Sequence, residues 1–493
     1  MAEERAVRQA GPPEYSRMPD SGGAARMLTA RSEVIALLAL ALVLGAGLRF
    51  YHLGRGDLSA DEGASWAGAS LPAVGQVVVM EQQLDPGKLP LYDVLLHGWI
   101  RVFGDGVFAM RAMSAGLGTI AIVLMFVAVR EVCDSLAEEP GGAISELTGA
   151  FAALIYGVNF TMVTSDRTLR MYPLLMSMEL LQIFFLVRAQ RRGGWSNYAG
   201  TAIFTALMVA TNFTSCFLLL AEGLWFAGLL AAKSLGARAG GLAVFRPGAA
   251  LVAGLMLLAP LLPAALASSH QAVAMGALDW IKMGPASWPY AVLRRAVGNH
   301  MLFRIFVALG AFGVWRQWRS ARLASVFLTA WMMGPILGVL AVSHLIRPLE
   351  FPRYVLASFA GLFGLAAFGA ASARSAAVRV ALAVLFIGLS LGPAREAIKH
   401  PHEAAWREAT ALAARQAAPD EQIAVFPGYC KNVVRYYISP ERRPAVQGED
   451  TCGPPRVLIL SGRGLQGEDQ IAAMEKCYPR LVTQMPLVEV RTR

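Results

Sequence analysis

Two adjacent carboxylates stand in the segment Asp57-Leu58-Ser59-Ala60-Asp61-Glu62-Gly63. A carboxylate can remove a proton from an attacking hydroxyl, and a second one beside it can support or orient it. Adjacent acids also occur on ordinary solvated loops, so the pair needs partners to count as a site. Three further segments supply cations and aromatic hydroxyls. Asp85-Pro86-Gly87-Lys88-Leu89-Pro90-Leu91-Tyr92 carries Lys88 and Tyr92. Thr164-Ser165-Asp166-Arg167-Thr168-Leu169-Arg170-Met171-Tyr172-Pro173 carries Asp166, Arg170 and Tyr172. His344 to Tyr354 carries Arg347, Arg353 and Tyr354. Fixed cations suit a phosphate, although Arg and Tyr also favour a membrane–water boundary for anchoring alone. His97 lies four residues after Asp93 on a predicted helix, where a simple His–Asp contact is the plain reading.

The elements that position these residues belong in a membrane. Of 493 residues 56% are hydrophobic and 16% charged, well below the quarter usual for soluble domains. The deficit is confined to the part before residue 395. Apolar runs at 33–50, 107–129, 144–164, 171–188, 197–213, 215–232, 248–268, 300–316, 322–343, 354–372 and 376–393 each approach the ~20 residues that cross a bilayer. The expected fold is therefore an all-α polytopic membrane protein of about eleven transmembrane helices, within a range of about ten to thirteen. The runs are nearly free of charge, Glu179 and Glu222 being exceptions. The first run is read as a retained anchor, because no convincing small-x-small cleavage site follows it.

Basic residues recur in every second connection: Arg26 and Arg31, Arg130, Arg188 with Arg191 and Arg192, Lys233 with Arg238 and Arg246, Arg316 with Arg319 and Arg322, and Arg374 with Arg379. By the positive-inside rule these connections are cytoplasmic. That puts 51–106, the 165–170 corner, 269–299, 344–353 and everything after 394 outside. Residues 1–30 read as a disordered cytoplasmic tail, 31–394 as the membrane domain, and 395–493 as an external domain. Within the loop 51–106, Leu91 to Phe103 forms an amphipathic helix suited to lying in the interface. The net charge of +10 is scattered in short clusters, which argues against a nucleic-acid partner.

The region after 394 reads as a small α/β domain, with helices at Glu403–Ala418, Lys431–Ile438 and Asp469–Cys477. Strands are expected at Gln422–Phe426, Arg456–Leu460 and within Leu481–Val490. Gly462-Arg463-Gly464-Leu465-Gln466-Gly467 imitates a dinucleotide fingerprint, but it belongs to the last βαβ and lies outside, so it reads as a Gly-rich turn. In a parallel unit Cys452 and Cys477 fall at one edge of the sheet and Cys430 at the other. A bridge therefore joins Cys452 to Cys477 if one forms at all.

Taken in order, Asp61-Glu62 after the first span, Lys88-x-Pro90-Leu91-Tyr92, Arg170-Met171-Tyr172 at the head of the fourth span and Pro352-Arg353-Tyr354 resemble the GT-C membrane glycosyltransferases of family 39. That family includes protein O-mannosyltransferases and the aminoarabinose transferase that modifies lipid A. The resemblance spans residues ~33 to ~440 and implies the GT-C fold. It also implies a polyprenyl-phosphate-linked sugar as donor, and a lipid, glycan or protein acceptor outside a cell inner membrane. It makes Asp61 and Glu62 the acidic catalytic pair, Lys88, Arg170 and Arg353 the contacts to the donor phosphate, and Tyr92, His97, Asp166, Tyr172 and Tyr354 further substrate contacts. Two departures stand out. Leu89 interrupts a His-Pro-Pro or Lys-Pro-Pro triplet, and the second acid expected near Met171 is missing. Asp166 is its substitute if Asp61 and Asp166 hold a divalent cation. The Trp-Trp-Asp-Tyr-Gly signature of oligosaccharyltransferases is absent.

The expected chemistry is transfer to an acceptor hydroxyl, with inversion, in which cations stabilise the departing phosphate and Asp61 is the base. The alternative, a lipid or solute transporter, predicts several mid-membrane charges, of which the runs hold only Glu179 and Glu222, and internal repeats that the sequence does not show.

Overall fold

The computed structural model describes residues 21–84, 89–138, 142–235, 242–274, 281–399, 404–449, 451–461 and 468–493. Lys88, the first twenty residues of the expected disordered tail and the Gly462–Gly467 turn lie outside them. Residues 21–30 belong to the helix that continues into the first span.

In chain order the membrane part comprises α1 (Ser21–Phe50), α2 (Ala60–Ala69), α3 (Val74–Leu84), α4 (Leu91–Phe103), α5 (Val107–Ser135), α6 (Ala143–Val158), α7 (Phe160–Asp166) and α8 (Tyr172–Arg192). It continues through α9 (Trp195–Thr211), α10 (Cys216–Ser234), α11 (Phe245–Met256), α12 (Leu262–Ala274) and α13 (Trp288–Val297). It closes with α14 (His300–Gln317), α15 (Arg322–Leu345), α16 (Leu356–Ala371) and α17 (Ala376–Lys399).

This is a multi-pass membrane protein. Seven helices among the described residues are long and apolar enough to cross a bilayer, and nine if each of two bent pairs counts as one span. Every expected apolar run has a helical counterpart, but three are shaped differently. The 144–164 run bends by 62° between α6 and α7, where Asn159 leaves the helix and caps α7 through the Met162 amide at 3.0 Å. The 248–268 run divides into α11 and α12 around Pro260, which cannot continue a helix, and α12 starts with Pro263 in its first turn. The 17 residues of α9 reach only about 26 Å, somewhat short of the ~30 Å hydrocarbon.

α16 is buried along its whole length and forms the axis of the bundle. Small residues allow that approach: a Cβ on Gly313 of α14 would lie 2.7 Å from the Gly369 amide nitrogen on α16. Phe306, Phe363, Phe386 and Phe151 fill the adjacent space edge to face.

Ion pairs gather at one end, where Arg379 meets Glu33 at 2.8 Å and Arg192 meets Glu131 at 2.9 Å. The other end carries α2, α3 and α4 and the C-terminal region. On α4 the face bearing Tyr92, Asp93, Leu96 and His97 is buried against protein, while Leu95, Val102 and Phe103 face outward. That inversion of the water-soluble pattern fits a helix whose apolar side meets lipid.

The C-terminal region comprises α18 (Trp406–Gln416), β1 (Ile423–Phe426), α19 (Lys431–Tyr437), β2 (Val446–Gly448), β3 (Val457–Ser461), α20 (Glu468–Cys477), β4 (Arg480–Met485) and β5 (Val488–Thr492). The sheet order is β2-β1-β3-β5-β4, parallel among the first three strands and antiparallel from β3 onward. The edge strand β2, only three residues long, had no periodic signal in the sequence. Cys452 and Cys477 are joined as a disulfide.

The close approach of α14 and α16 yields a test. Gly313→Leu should destabilise the protein by about 1–3 kcal/mol through overpacking, read as a fall in thermal unfolding temperature in detergent. Gly388→Ala, at a position with nothing within 4 Å of the added carbon, should not lower it.

Candidate active site

The local structure begins with a capping box. The Ser59 hydroxyl accepts the Glu62 amide at 3.3 Å, and the Glu62 carboxylate accepts the Ser59 amide at 2.9 Å, so α2 starts at a fixed residue. Glu62 is buried. Arg111 of α5 grips it with two parallel bonds, Nε to Oε1 at 2.8 Å and Nη2 to Oε2 at 2.9 Å, and the Leu169 amide adds a bond of 2.8 Å. Burial pushes the Glu62 carboxyl up, but the Arg111 hydrogen bonds and charge, with the Ser59 and Leu169 amides, hold it below its ordinary value of 4.5. Arg111 also donates to the carbonyls of Arg55 at 3.0 Å and Asp57 at 2.9 Å, so one guanidinium fixes the chain entering α2.

Asp61 precedes Glu62 by one residue and therefore points about 100° away around the helix. Its side chain is 53% exposed, and Oδ2 accepts from Arg353 Nη1 at 3.3 Å. The same Nη1 donates to the Tyr172 hydroxyl at 3.2 Å, and the guanidinium lies 4.5 Å from the Phe351 ring centre. Arg170 Nη1 donates to the Asp61 carbonyl and to Ser65 Oγ, both at 3.4 Å. Thus Asp61, Arg170, Tyr172 and Arg353, spread over almost 300 positions of the chain, meet at one end of the bundle. Tyr354 stands next to this group, its ring against Phe351 and Phe213.

The C-terminal region forms one wall of the site. α19 packs so closely on α2 that a Cβ on Gly63 would lie 2.6 Å from the Val433 nitrogen. The Leu58 amide donates to the Tyr437 hydroxyl at 2.7 Å, Arg407 pairs with Asp57 at 3.4 Å, and Arg443 lies over the Trp66 ring. Cys430 is near enough to feel Asp61: burial and then that negative charge push its thiol up to about 12.

Other expected site residues are elsewhere. Tyr92 is fully buried; its hydroxyl meets Ser114 Oγ at 3.0 Å, and Ser114 donates to the Arg170 carbonyl at 3.3 Å. Burial raises the Tyr92 phenol above its ordinary value, so it steadies the Arg170 backbone as a neutral hydroxyl rather than touching a substrate. His97 is buried too, its Nδ1 2.8 Å from the Ala69 carbonyl, tying α4 to α2 in place of the simple contact with Asp93. Asp166 does not join Asp61. It is buried against Arg49, Nη2 to Oδ2 at 2.7 Å, so a cation already occupies the side of Asp166 that a metal ion would need. Among the described residues no group of three or more His, Cys, Asp or Glu is arranged to hold a metal. The two structural arginines, Arg49 and Arg111, were missed. Each lies near the end of an apolar run, where an ionised group needs a partner, and that was the available signal.

No family model matches the chain, and no curated protein matches its sequence. Its architecture is the GT-C fold. It is similar to the crystal structure of ArnT from Cupriavidus metallidurans in the apo state, with a TM-score of 0.60 and 13% identity over 94% of this chain and 98% of that one. The same protein bound to undecaprenyl phosphate gives a TM-score of 0.57 at 13% identity, covering 93% and 98%. The Archaeoglobus fulgidus oligosaccharyltransferase in complex with Zn and sulfate follows at 0.53 and 12% identity, covering 90% of this chain and 71% of that one.

Glu62→Gln should cost about 3–5 kcal/mol, because it leaves Arg111 buried without its counter-charge. The pH sign follows from the lowered carboxyl. Its stabilisation is complete above the ordinary value of 4.5 and is lost as pH falls through the lower folded value. The difference in unfolding temperature between wild type and Glu62→Gln should therefore be constant at neutral pH and shrink in acid. A difference that persists unchanged to strongly acidic pH contradicts the ionised clamp.

Proposed function

We propose that the chain is an integral-membrane glycosyltransferase that moves a sugar from a polyprenyl-phosphate donor to an acceptor hydroxyl at the external face of a cell inner membrane. The observation that carries this reading is the exposed Asp61 carboxylate paired with Arg353 and flanked by Arg170, set in a fold shared with a protein that binds undecaprenyl phosphate.

The acceptor oxygen attacks the anomeric carbon as the bond from that carbon to the phosphate oxygen breaks. Asp61 takes the acceptor proton. The charge left on the polyprenyl phosphate falls on Arg353 and Arg170, with Lys88 as the third cation. Displacement from the opposite face inverts the anomeric centre. In the free protein Arg353 holds Asp61, which would blunt a base. That pair is partly solvated, 38% and 53% exposed, and such pairs contribute about 0–1 kcal/mol. The Asp61–Arg353 contact is a single bond of 3.3 Å, whereas a phosphate can take the guanidinium by two, so donor binding releases Asp61 for the acceptor. Donor loading and base activation are then one event. Glu62 takes no proton in this scheme; it is the anchor that fixes the direction of Asp61.

Asp61→Asn should lower transfer by about 10²–10⁴-fold while the protein still inserts and retains polyprenyl phosphate. Full activity in membranes supplied with donor removes Asp61 from the chemistry. Lys88→Ala should raise the KM for donor more than that for acceptor; equal effects on both argue against a phosphate contact.

A further inference from the structure

A second cationic cleft lies beside the Asp61–Arg353 group. It has a volume of about 490 Å³ and is bounded by Arg294, Arg295, Asn299, His300, Phe160 and Pro352. Pro352 directly precedes Arg353, so the two sites share a wall. α13 and α14 meet at 102°, and the corner between them is held rigidly. Asn159 Nδ2 donates to the Ala296 carbonyl at 3.0 Å, Thr161 donates to the Arg295 carbonyl at 2.8 Å, and Asn299 caps α14 through the Met301 amide at 2.8 Å. These bonds use the backbone and leave the arginine side chains to the cleft.

Arg294 donates to Nε2 of His300, which leaves that imidazole an acceptor there. Neither Arg294 nor Arg295 has a carboxylate partner among the described residues, and no carboxylate lines the cleft. By contrast Arg49, Arg111, Arg192 and Arg379 each meet an Asp or Glu. The positive-inside rule offers no reason for an arginine doublet at the end of the bundle that bears Asp61. The flank of the cleft is apolar and outward-facing: Tyr290 is 51% and Met301 59% exposed.

We infer that this cleft binds the phosphate of a lipid headgroup whose chains lie against α13 and α14, separately from the donor phosphate held at Arg353. Guanidinium groups match a phosphate in charge and geometry, and the apolar flank supplies the lipid side of an amphiphile. The inference rests on the proposed function for its sidedness only: with a donor phosphate at Arg353, the adjoining anion site suits an anionic phospholipid of the surrounding membrane.

The test uses the full chain in phosphatidylcholine nanodiscs and measures binding of two probes, fluorescent phosphatidic acid and undecaprenyl phosphate. Arg294→Gln with Arg295→Gln should weaken phosphatidic acid binding about thirtyfold, the scale of two lost cation–headgroup contacts. Undecaprenyl phosphate affinity should be unchanged, and Arg294→Lys with Arg295→Lys should largely restore phosphatidic acid binding, which separates charge from misfolding. Displacement of the probe by inorganic phosphate supports recognition of the phosphate itself, and resistance to it supports a requirement for the membrane-held headgroup. Equal phosphatidic acid affinity in wild type and the Gln pair overturns the site. Parallel loss of both probes merges the cleft with the donor site, overturning its independence while the glycosyltransferase reading stands. Binding of phosphatidic acid by a wild type that does not bind undecaprenyl phosphate supports the cleft and removes the donor reading.

Discussion

A single buried ion pair sets the geometry at the active end of the molecule. Glu62 and Arg111 are linked by two bonds in an environment from which water is excluded, and the Leu169 amide completes the carboxylate. Two isolated charges there would each cost several kcal/mol, so neither side chain can be accommodated without the other. The pair joins α2, α5 and the corner before α8, elements separated by up to 107 positions. Their relative orientation is thereby fixed before any substrate arrives.

The consequence for chemistry is one of helical angle. With Glu62 locked inward, the adjacent Asp61 is turned outward, to where Arg170 and Arg353 arrive on the segments that precede α8 and α16. Tyr92 and Ser114 steady the Arg170 backbone from beneath, and α19 presses on α2 from above, with room only for a glycine at position 63. An active group with weak, exchangeable partners thus rests on a base whose partners are strong and dry. The C-terminal region is part of that base, because removing it would uncover Gly63, Trp66 and the Asp57 carboxylate.

Much of this was legible in the sequence, and what was not has definite causes. The helical runs, the α4 boundaries and most of the α/β elements follow from periodicity, because burial is decided locally by which face repeats. The order of acidic, basic and tyrosine segments pointed to Asp61, Arg170, Tyr172 and Arg353 as one group, and they do meet. The sequence reading makes Asp61 the base and Glu62 its support, but the physical cause of their difference, an arginine 49 positions beyond Glu62, is not visible there. The resemblance made Tyr92 and His97 substrate contacts; in the structure lipid takes the apolar side of α4, and its polar face turns inward onto protein. Asp166 read as a possible metal ligand because Arg49, hidden in the first apolar run, was not counted as its partner.

The central claim is that the cations grouped around Asp61 receive a polyprenyl phosphate. The most direct measurement is photo-crosslinking of the intact protein, in lipid nanodiscs, with a polyprenyl phosphate carrying its photoreactive group beside the phosphate, followed by peptide mapping. Label is expected in the peptides around Lys88, Arg170 and Arg353, reduced by excess unlabelled polyprenyl phosphate. Label confined to the opposite end of the bundle, around Arg192 and Arg379, would contradict it.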